Sequence, residues 1–392
     1  MARAFVTRRL GSACALVLAA SLPVAAQTIR KVGEERPYEL KSPADYPPGD
    51  AFRAATWSEK IVSPGAAFLR VHFEQLALPS GDYLTISSPD GSDFWTYTDK
   101  GPLGTGEFWS FSVEGDTAIL ELHSGPVTRS SDRDVSYGFS VDRIAHGFES
   151  LEPPDEPGAK IVCGTDGRRD AACYSSVGTR PVARLSFQKS GSSYVCTGWL
   201  VAGSNSSTML TNNHCFTNQT VVNTVQARFN YQRTSCGGST TATTSTYAGG
   251  TFLRTNSSLD YTLFTLKNNP EATWGEYTAT SKAPSVGLTI NFPQHPGGGL
   301  KRVGYWEDSA ASVRCKINAT NQSYGYASGS QVGYGCDSEG GSSGSPILDA
   351  GTGRVIALHH LGGVSSSPCL NGGTVMSRVC TSAGSLLSCA SN

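Results

Sequence analysis

Eleven cysteines stand in this 392-residue chain, and ten of them fall after residue 160: Cys163, Cys173, Cys196, Cys215, Cys236, Cys315, Cys336, Cys369, Cys380 and Cys389. Residues 27–160 hold none. An even set of thiols in an oxidising compartment closes into cross-links, about five here, and each removes most of the folds open to a free chain. No CxxC pair or histidine-rich cluster offers a metal site instead, and neither metal nor cofactor is expected. The eleventh, Cys14, lies in "MARAFVTRRLGSACALVLAASLPVAAQ". Arg3, Arg8 and Arg9 there precede an apolar run from Ala13 to Ala20 and the small residues Val24-Ala25-Ala26. That reads as a signal peptide over residues 1–26, lost on export together with Cys14. No later stretch reaches the roughly 18 apolar residues of a membrane span. The expected product is secreted, through the periplasm if the producer is Gram-negative.

Charge breaks where cysteine content breaks. Residues 27–160 carry 22 acidic and 12 basic residues, and residues 161–392 carry 10 and 16. Net charges of −10 and +6 favour two halves that dock on each other, with the front half an intramolecular partner of the rest. The positive half has no clustered basic stripe, which gives no case for a nucleic-acid partner. A monomer is expected.

Strand patterning runs through both halves. "AAFLRVHFEQLAL" alternates Leu69, Val71 and Phe73 against Arg70, His72 and Glu74, the period of a half-buried strand. "GDYLTISSPDGSDFWTYT" reads as strand, turn, strand, and "TAILELHSG" and "SYGFSVDRIAHGF" repeat the pattern. Residues 27–148 are therefore expected to form a small antiparallel β-sandwich, patterned most clearly from about residue 50. "ESLEPPDEPGAK", residues 149–160, is a proline- and acid-rich linker open to proteolysis. Residues 161–392 continue as short apolar runs between Gly, Ser, Asn and Pro turns, as two Greek-key barrels or a sandwich would require.

Three short motifs carry chemistry. "STMLTNNHCF" ends a strand at His214, beside Cys215, and a Cys196–Cys215 disulfide to "VCTGWLV" would fix the backbone there. Imidazole can take and return a proton near neutral pH. In "NSSLDYTLFTL", Asp260 precedes an apolar strand, where a buried carboxylate could hold that imidazole, although an aspartate there is ordinarily a cap. In "EGGSSGSPIL", glycines flank Ser343 and let the chain turn so that the Gly341 and Ser343 amides form an oxyanion hole. Read alone, such a Ser/Gly run is a linker.

Together the motifs resemble the trypsin-like, chymotrypsin-fold serine peptidases, in that family's order of His, Asp and Ser. The likeness is greater to the bacterial lysyl and glutamyl endopeptidases, which share "GSSGSP", and "CTGWLV", "NFPQHPGGGLKRV" and "GRVIALHH" also echo them. The resemblance covers about residues 161–390. It implies an all-β fold, a double six-stranded β-barrel behind the sandwich, and a secreted serine endopeptidase acting on proteins or peptides. His214, Asp260 and Ser343 would be its catalytic residues, and residues 27–148 a propeptide. The family pattern implies Cys163–Cys369 and Cys173–Cys236, and Cys315–Cys336 and Cys380–Cys389 follow as the remaining local pairs. Animal zymogens carry an aspartate just before the serine to receive a freshly cut N-terminus; Ser342 stands there. Activation is therefore expected from loss of the acidic front half rather than from insertion of a terminus cut after Lys160.

The residue cut after is read from the pocket walls. Asp337 lies six residues before Ser343, the offset of trypsin's lysine- and arginine-reading aspartate, although Cys336 does not match the trypsin cysteine. The strand after the serine supplies His359, His360 and Gly362, and glutamyl endopeptidases place a histidine there. Thr374 stands where lysyl endopeptidases carry their lysine-reading aspartate. Cleavage after Lys or Arg is expected. The alternatives are cleavage after Glu and an inactive relative used as a binding module.

Overall fold

The computed structural model describes Met1 and residues 29–43, 55–124, 137–148, 160–308, 310–366 and 368–391. The signal peptide beyond Met1 and the 149–160 linker before Lys160 lie outside the described residues. No helix among those described is long and apolar enough to cross a membrane.

The first nine strands are β1 (Arg30–Lys41), β2 (Trp57–Val62), β3 (Phe68–Ala77), β4 (Tyr83–Ser87), β5 (Phe94–Thr98), β6 (Phe108–Trp109), β7 (Val113–Glu114), β8 (Thr117–His123) and β9 (Gly138–Gly147). They form two antiparallel sheets, β1-β9-β3 with β6 and β7 beside β3, and β2-β8-β4-β5. Leu69, Val71, Phe73, Leu84, Ile86, Leu120 and Ile144 fill the space between them, as alternation along each strand requires.

The next eight are β10 (Lys160–Ile161), β11 (Arg168–Asp170), β12 (Val182–Lys189), β13 (Ser192–Leu200), β14 (Thr208–Thr211), β15 (Gln226–Phe229), β16 (Ser245–Asn256) and β17 (Tyr261–Leu266). Pairing runs β12-β15-β16-β17-β14-β13, and β13 pairs β12 again, closing a six-stranded antiparallel barrel. Leu185, Phe187, Phe216, Phe229 and Phe264 pack it.

The remaining strands are β18 (Ala279–Thr280), β19 (Ile290–Gln294), β20 (Arg302–Gly304), β21 (Trp306–Asp308), β22 (Val313–Arg314), β23 (Ile317–Gln322), β24 (Gln331–Tyr334), β25 (Ser338–Glu339), β26 (Pro346–Asp349), β27 (Val355–Ser366), β28 (Cys369–Val375) and β29 (Cys389–Ala390). A second six-strand path runs β19-β26-β27-β28-β24-β23. It closes where Ile290 N–H donates to Cys315 O (2.9 Å) and Ile317 N–H to Leu288 O (2.9 Å). Trp199, Tyr261, Leu358 and Met376 belong to one core that joins the barrels. All five expected disulfides are present. The helix Met376–Ala383 packs against this shared core; eight residues at the chain end give too short a window for its period to stand out.

Strand β3 corrects one expectation. Arg70 and His72, assigned to solvent by the alternation, are buried. The first barrel covers Arg70, which donates to Thr224 O at 3.0 Å, with Ser112 N–H donating to Gln226 Oε1 at 2.9 Å. His72 is covered instead by Trp109, ring centres 4.9 Å apart, and its Nδ1 lies 2.5 Å from Asp142 Oδ1. Arg228 of the barrel faces Asp93 at 3.6 Å and Glu114 at 4.0 Å, a cation against two carboxylates. Strand β1 joins the two halves into one sheet, pairing β9 on one edge and β13 on the other.

Candidate active site

The chain leaves β14 at Thr211 and turns through Asn212 and Asn213 to His214. Cys215 is tied by a 2.04 Å disulfide to Cys196 of β13. Asn212 donates to Asp260 O at 2.9 Å and Asn213 to Thr255 Oγ1 at 2.7 Å, so the turn is pinned on both flanks of the histidine. Asp260 precedes β17 with φ of 48°, a left-handed conformation that a short polar side chain tolerates. That bend aims its buried carboxylate back at the turn.

Both oxygens of Asp260 are used. His214 N–H donates to Oδ1 at 2.9 Å, and His214 Nδ1 lies 2.7 Å from Oδ2. His360 Nδ1 lies 2.9 Å from the same Oδ2, and its Nε2 is 2.6 Å from Gln331 Oε1. Burial alone would raise the Asp260 pKa; the two imidazoles outweigh it and hold the carboxyl well below the usual range. Tyr326 stands edge-on to His360, ring centres 4.4 Å apart. His214 Nε2 is buried and makes no hydrogen bond among the described residues.

The loop from β25 to β26 carries Ser343 and is bolted to its surroundings. Gly341 and Gly344 take φ of 99° and 89°. A Cβ on Gly344 would sit 2.1 Å from Thr197 O, and one on Gly341 would sit 2.5 Å from Gly298 N. Only glycine fits either place. Thr197 N–H donates to Ser343 O at 2.8 Å and Thr197 Oγ1 to Gly341 O at 2.9 Å. Gly344 N–H donates to His359 O at 2.9 Å. The loop is thus held by one strand from each barrel, in the seam where His214 and Asp260 also lie. Ser342 Oγ donates to Gln294 Oε1 at 2.6 Å, so this position is satisfied internally.

The pocket residues fall out differently from the sequence reading. Asp337 is fully buried, and its oxygens accept Cys163 N–H at 2.7 Å and Gly167 N–H at 2.6 Å. It anchors the start of the second half instead of offering a free carboxylate to a substrate cation. Burial, against those two amides, pushes it up to about 6. The mismatched Cys336 signalled the difference, because its bond to Cys315 ties the preceding residue into the barrel wall.

His359 and His360 are neighbours on β27, where the pairing with β28 shifts register between His359 and Leu361, and their side chains meet different partners. His360 joins Asp260, whereas His359 Nδ1 lies 2.7 Å from Tyr334 Oη. The Tyr334 hydroxyl donates to Gly372 O at 3.1 Å, so His359 donates through Nδ1. Its Nε2 is buried without a partner among the described residues, and burial holds its pKa well below the ordinary value. Thr374 Oγ1 donates to Leu259 O at 2.9 Å and accepts from Gln331 at 3.1 Å, near His360. Gly362 lies further along β27, half-buried.

Sequence reasoning missed Thr197, Gln294, Gln331 and Glu339. Thr197 had a signal in its place beside Cys196. Gln294 and Glu339 lie in the stretches "NFPQHPGGGLKRV" and "EGGSSGSPIL" without a chemical reason to single them out, and Gln331 is an isolated polar residue in a strand.

The sequence profile of the family described as lysyl endopeptidase, C-terminal domain, matches residues 163–373, more than half of the chain. The chain is 30% identical over 319 residues to the secreted RxLR effector protein 73 of Plasmopara viticola, covering 77% of each. It is 29% identical over 315 residues to the lysyl endopeptidase of Pseudomonas aeruginosa, over 74% of this chain. It spans 64% of that enzyme's length. Among solved structures, a Glu endopeptidase in complex with MPD is similar at 21% identity and TM-score 0.39, over 55% of this chain and 93% of that one. The chain belongs to the lysyl endopeptidase C-terminal domain family, within the trypsin-like serine endopeptidases.

Proposed function

We propose that this protein is a secreted serine endopeptidase whose nucleophile is Ser343, with His214 as its base and Asp260 as the group that orients the base. The observation that carries the reading is the 2.7 Å contact of His214 Nδ1 with the buried Asp260, in the seam where Thr197 bonds the Ser343 carbonyl. With Nδ1–H committed to Asp260, Nε2 is left to take the Ser343 proton. The hydroxyl oxygen attacks the peptide carbonyl, whose oxyanion the Gly341 and Ser343 amides stabilise. His214 returns the proton to the leaving amine, and water then hydrolyses the acyl-enzyme by the same base. Residues 27–148 act as a propeptide docked through Arg70 and Arg228, released by a cut in the 149–160 linker.

For the residue cut after, the Lys/Arg expectation loses its reader, since Asp337 holds two backbone amides and Thr374 is neutral. Cleavage after Glu is favoured by His359, whose buried Nε2 has no partner among the described residues. A carboxylate arriving there draws a proton onto Nε2, so turnover of a Glu substrate falls as pH rises. Chromogenic substrates ending in Lys, Arg, Glu and Ala test this. The Glu substrate should have the highest kcat/KM, at least about tenfold above the others. A Lys or Arg substrate in first place would reject His359 as the reader.

A further inference from the structure

Strand β1 lies along the edge of β13 with a defined polarity. Arg30 is opposite Val195, Lys31 opposite Tyr194, Gly33 opposite Ser193 and Glu34 opposite Ser192. Val195 is the residue before Cys196, which is bonded to the cysteine beside His214. Two residues further on, Thr197 bonds the Ser343 carbonyl. The amino end of β1 therefore points at the catalytic seam, and the strand runs away from it toward its carboxyl end.

A peptide leaving the site has that same polarity. Its new amine lies under His214, which protonates it, and the rest of its chain runs outward. The side chain of Arg30 marks where such a peptide is read. Its Nη1 lies 3.2 Å from Glu339 Oε1, and its Cβ is 3.6 Å from where a Cβ on Gly340 would stand, one residue before Gly341. Glu339 is nearly buried. Its other oxygen lies 3.2 Å from Nη1 of Arg168, itself buried and paired with Asp166 at 2.9 Å. One oxygen of Glu339 thus serves a fixed internal cation, and the other faces β1. Ile29, just before Arg30, packs on the core of the first barrel.

We propose that the β13 edge and Glu339 form the binding site for the leaving side of the substrate. It selects a peptide with a basic residue within three positions after the cut bond, and β1 fills it in the full chain through Arg30. Main-chain pairing along the edge supplies affinity and the carboxylate supplies selectivity. The inference rests on Ser343 being the nucleophile.

The test compares the full chain with its Arg30→Glu variant. Both are first treated with a fluorophosphonate and the adduct located by mass spectrometry. Both are then assayed on internally quenched peptides carrying Arg or Glu at the first, second or third position after the cut. Charge reversal should unseat β1, so that Arg30→Glu cleaves the Arg peptides about tenfold faster than the native chain does. That variant should prefer Arg to Glu about tenfold at one of the three positions, and adding Glu339→Gln should abolish the preference. Equal rates for the two chains, with no preference between Arg and Glu, would overturn the proposal. Absence of any Ser343 adduct would overturn both it and the function on which it rests.

Discussion

Asp260 shares one oxygen, Oδ2, between two imidazoles, while its other oxygen takes the His214 backbone amide. An amide in its place keeps the shape but offers only one accepting oxygen and an NH₂ group. The His214 ring would then settle in the wrong tautomer, with Nε2 protonated and unable to act as a base. Asp260→Asn should lower kcat/KM at pH 7 by about 10³–10⁴-fold with near-UV circular dichroism unchanged. A loss under tenfold would remove Asp260 from the orienting role. His214 and Ser343 stand out in the sequence as candidates because each sits in a motif with a chemical reason for every neighbour. The second bond to His360 does not, since either residue of a His-His pair can face inward until the strand's register is known. Asp337 was misassigned because an offset along the chain is a guide only where the intervening loop has the same shape.

At the scale of elements, the loop carrying Ser343 is set by its anchors. Asp337 ties it to the segment Cys163–Gly167. Its carboxyl is pushed up to about 6 in the folded protein against an ordinary 3.8, so the folded state binds the proton more tightly than the unfolded one. Its contribution to stability is then fully present below about pH 4 and is lost as pH rises through about 6, on the order of 2–3 kcal/mol. Asparagine does not titrate. Melting midpoints at pH 4 and pH 7 should therefore show the native chain losing stability relative to Asp337→Asn across that window. A difference between the two chains that does not change with pH would contradict the assignment. Most strands were legible from their alternation. The burial of Arg70 and His72 was not, because alternation tells one face of a strand from the other but not what covers the polar one, the first barrel at Arg70 and Trp109 at His72.

Across the whole molecule, two halves of opposite charge meet, and β1 runs from one into the other. Cysteine content and net charge change at the same place in the chain, and Arg228 faces Asp93 and Glu114. Nothing in the sequence marked β1 as the strand laid beside the seam that holds Ser343, because pairing across more than 150 residues leaves no local pattern. Of the many serines in this Ser-rich chain, Ser343 alone is the proposed nucleophile. Treatment of the purified protein with excess fluorophosphonate, followed by peptide mapping by mass spectrometry, tests it directly. One adduct is expected, on Ser343, with none on Ser342 or Ser345 and none anywhere in the Ser343→Ala chain. Failure of the native chain to react, or an adduct that persists in Ser343→Ala, would contradict it.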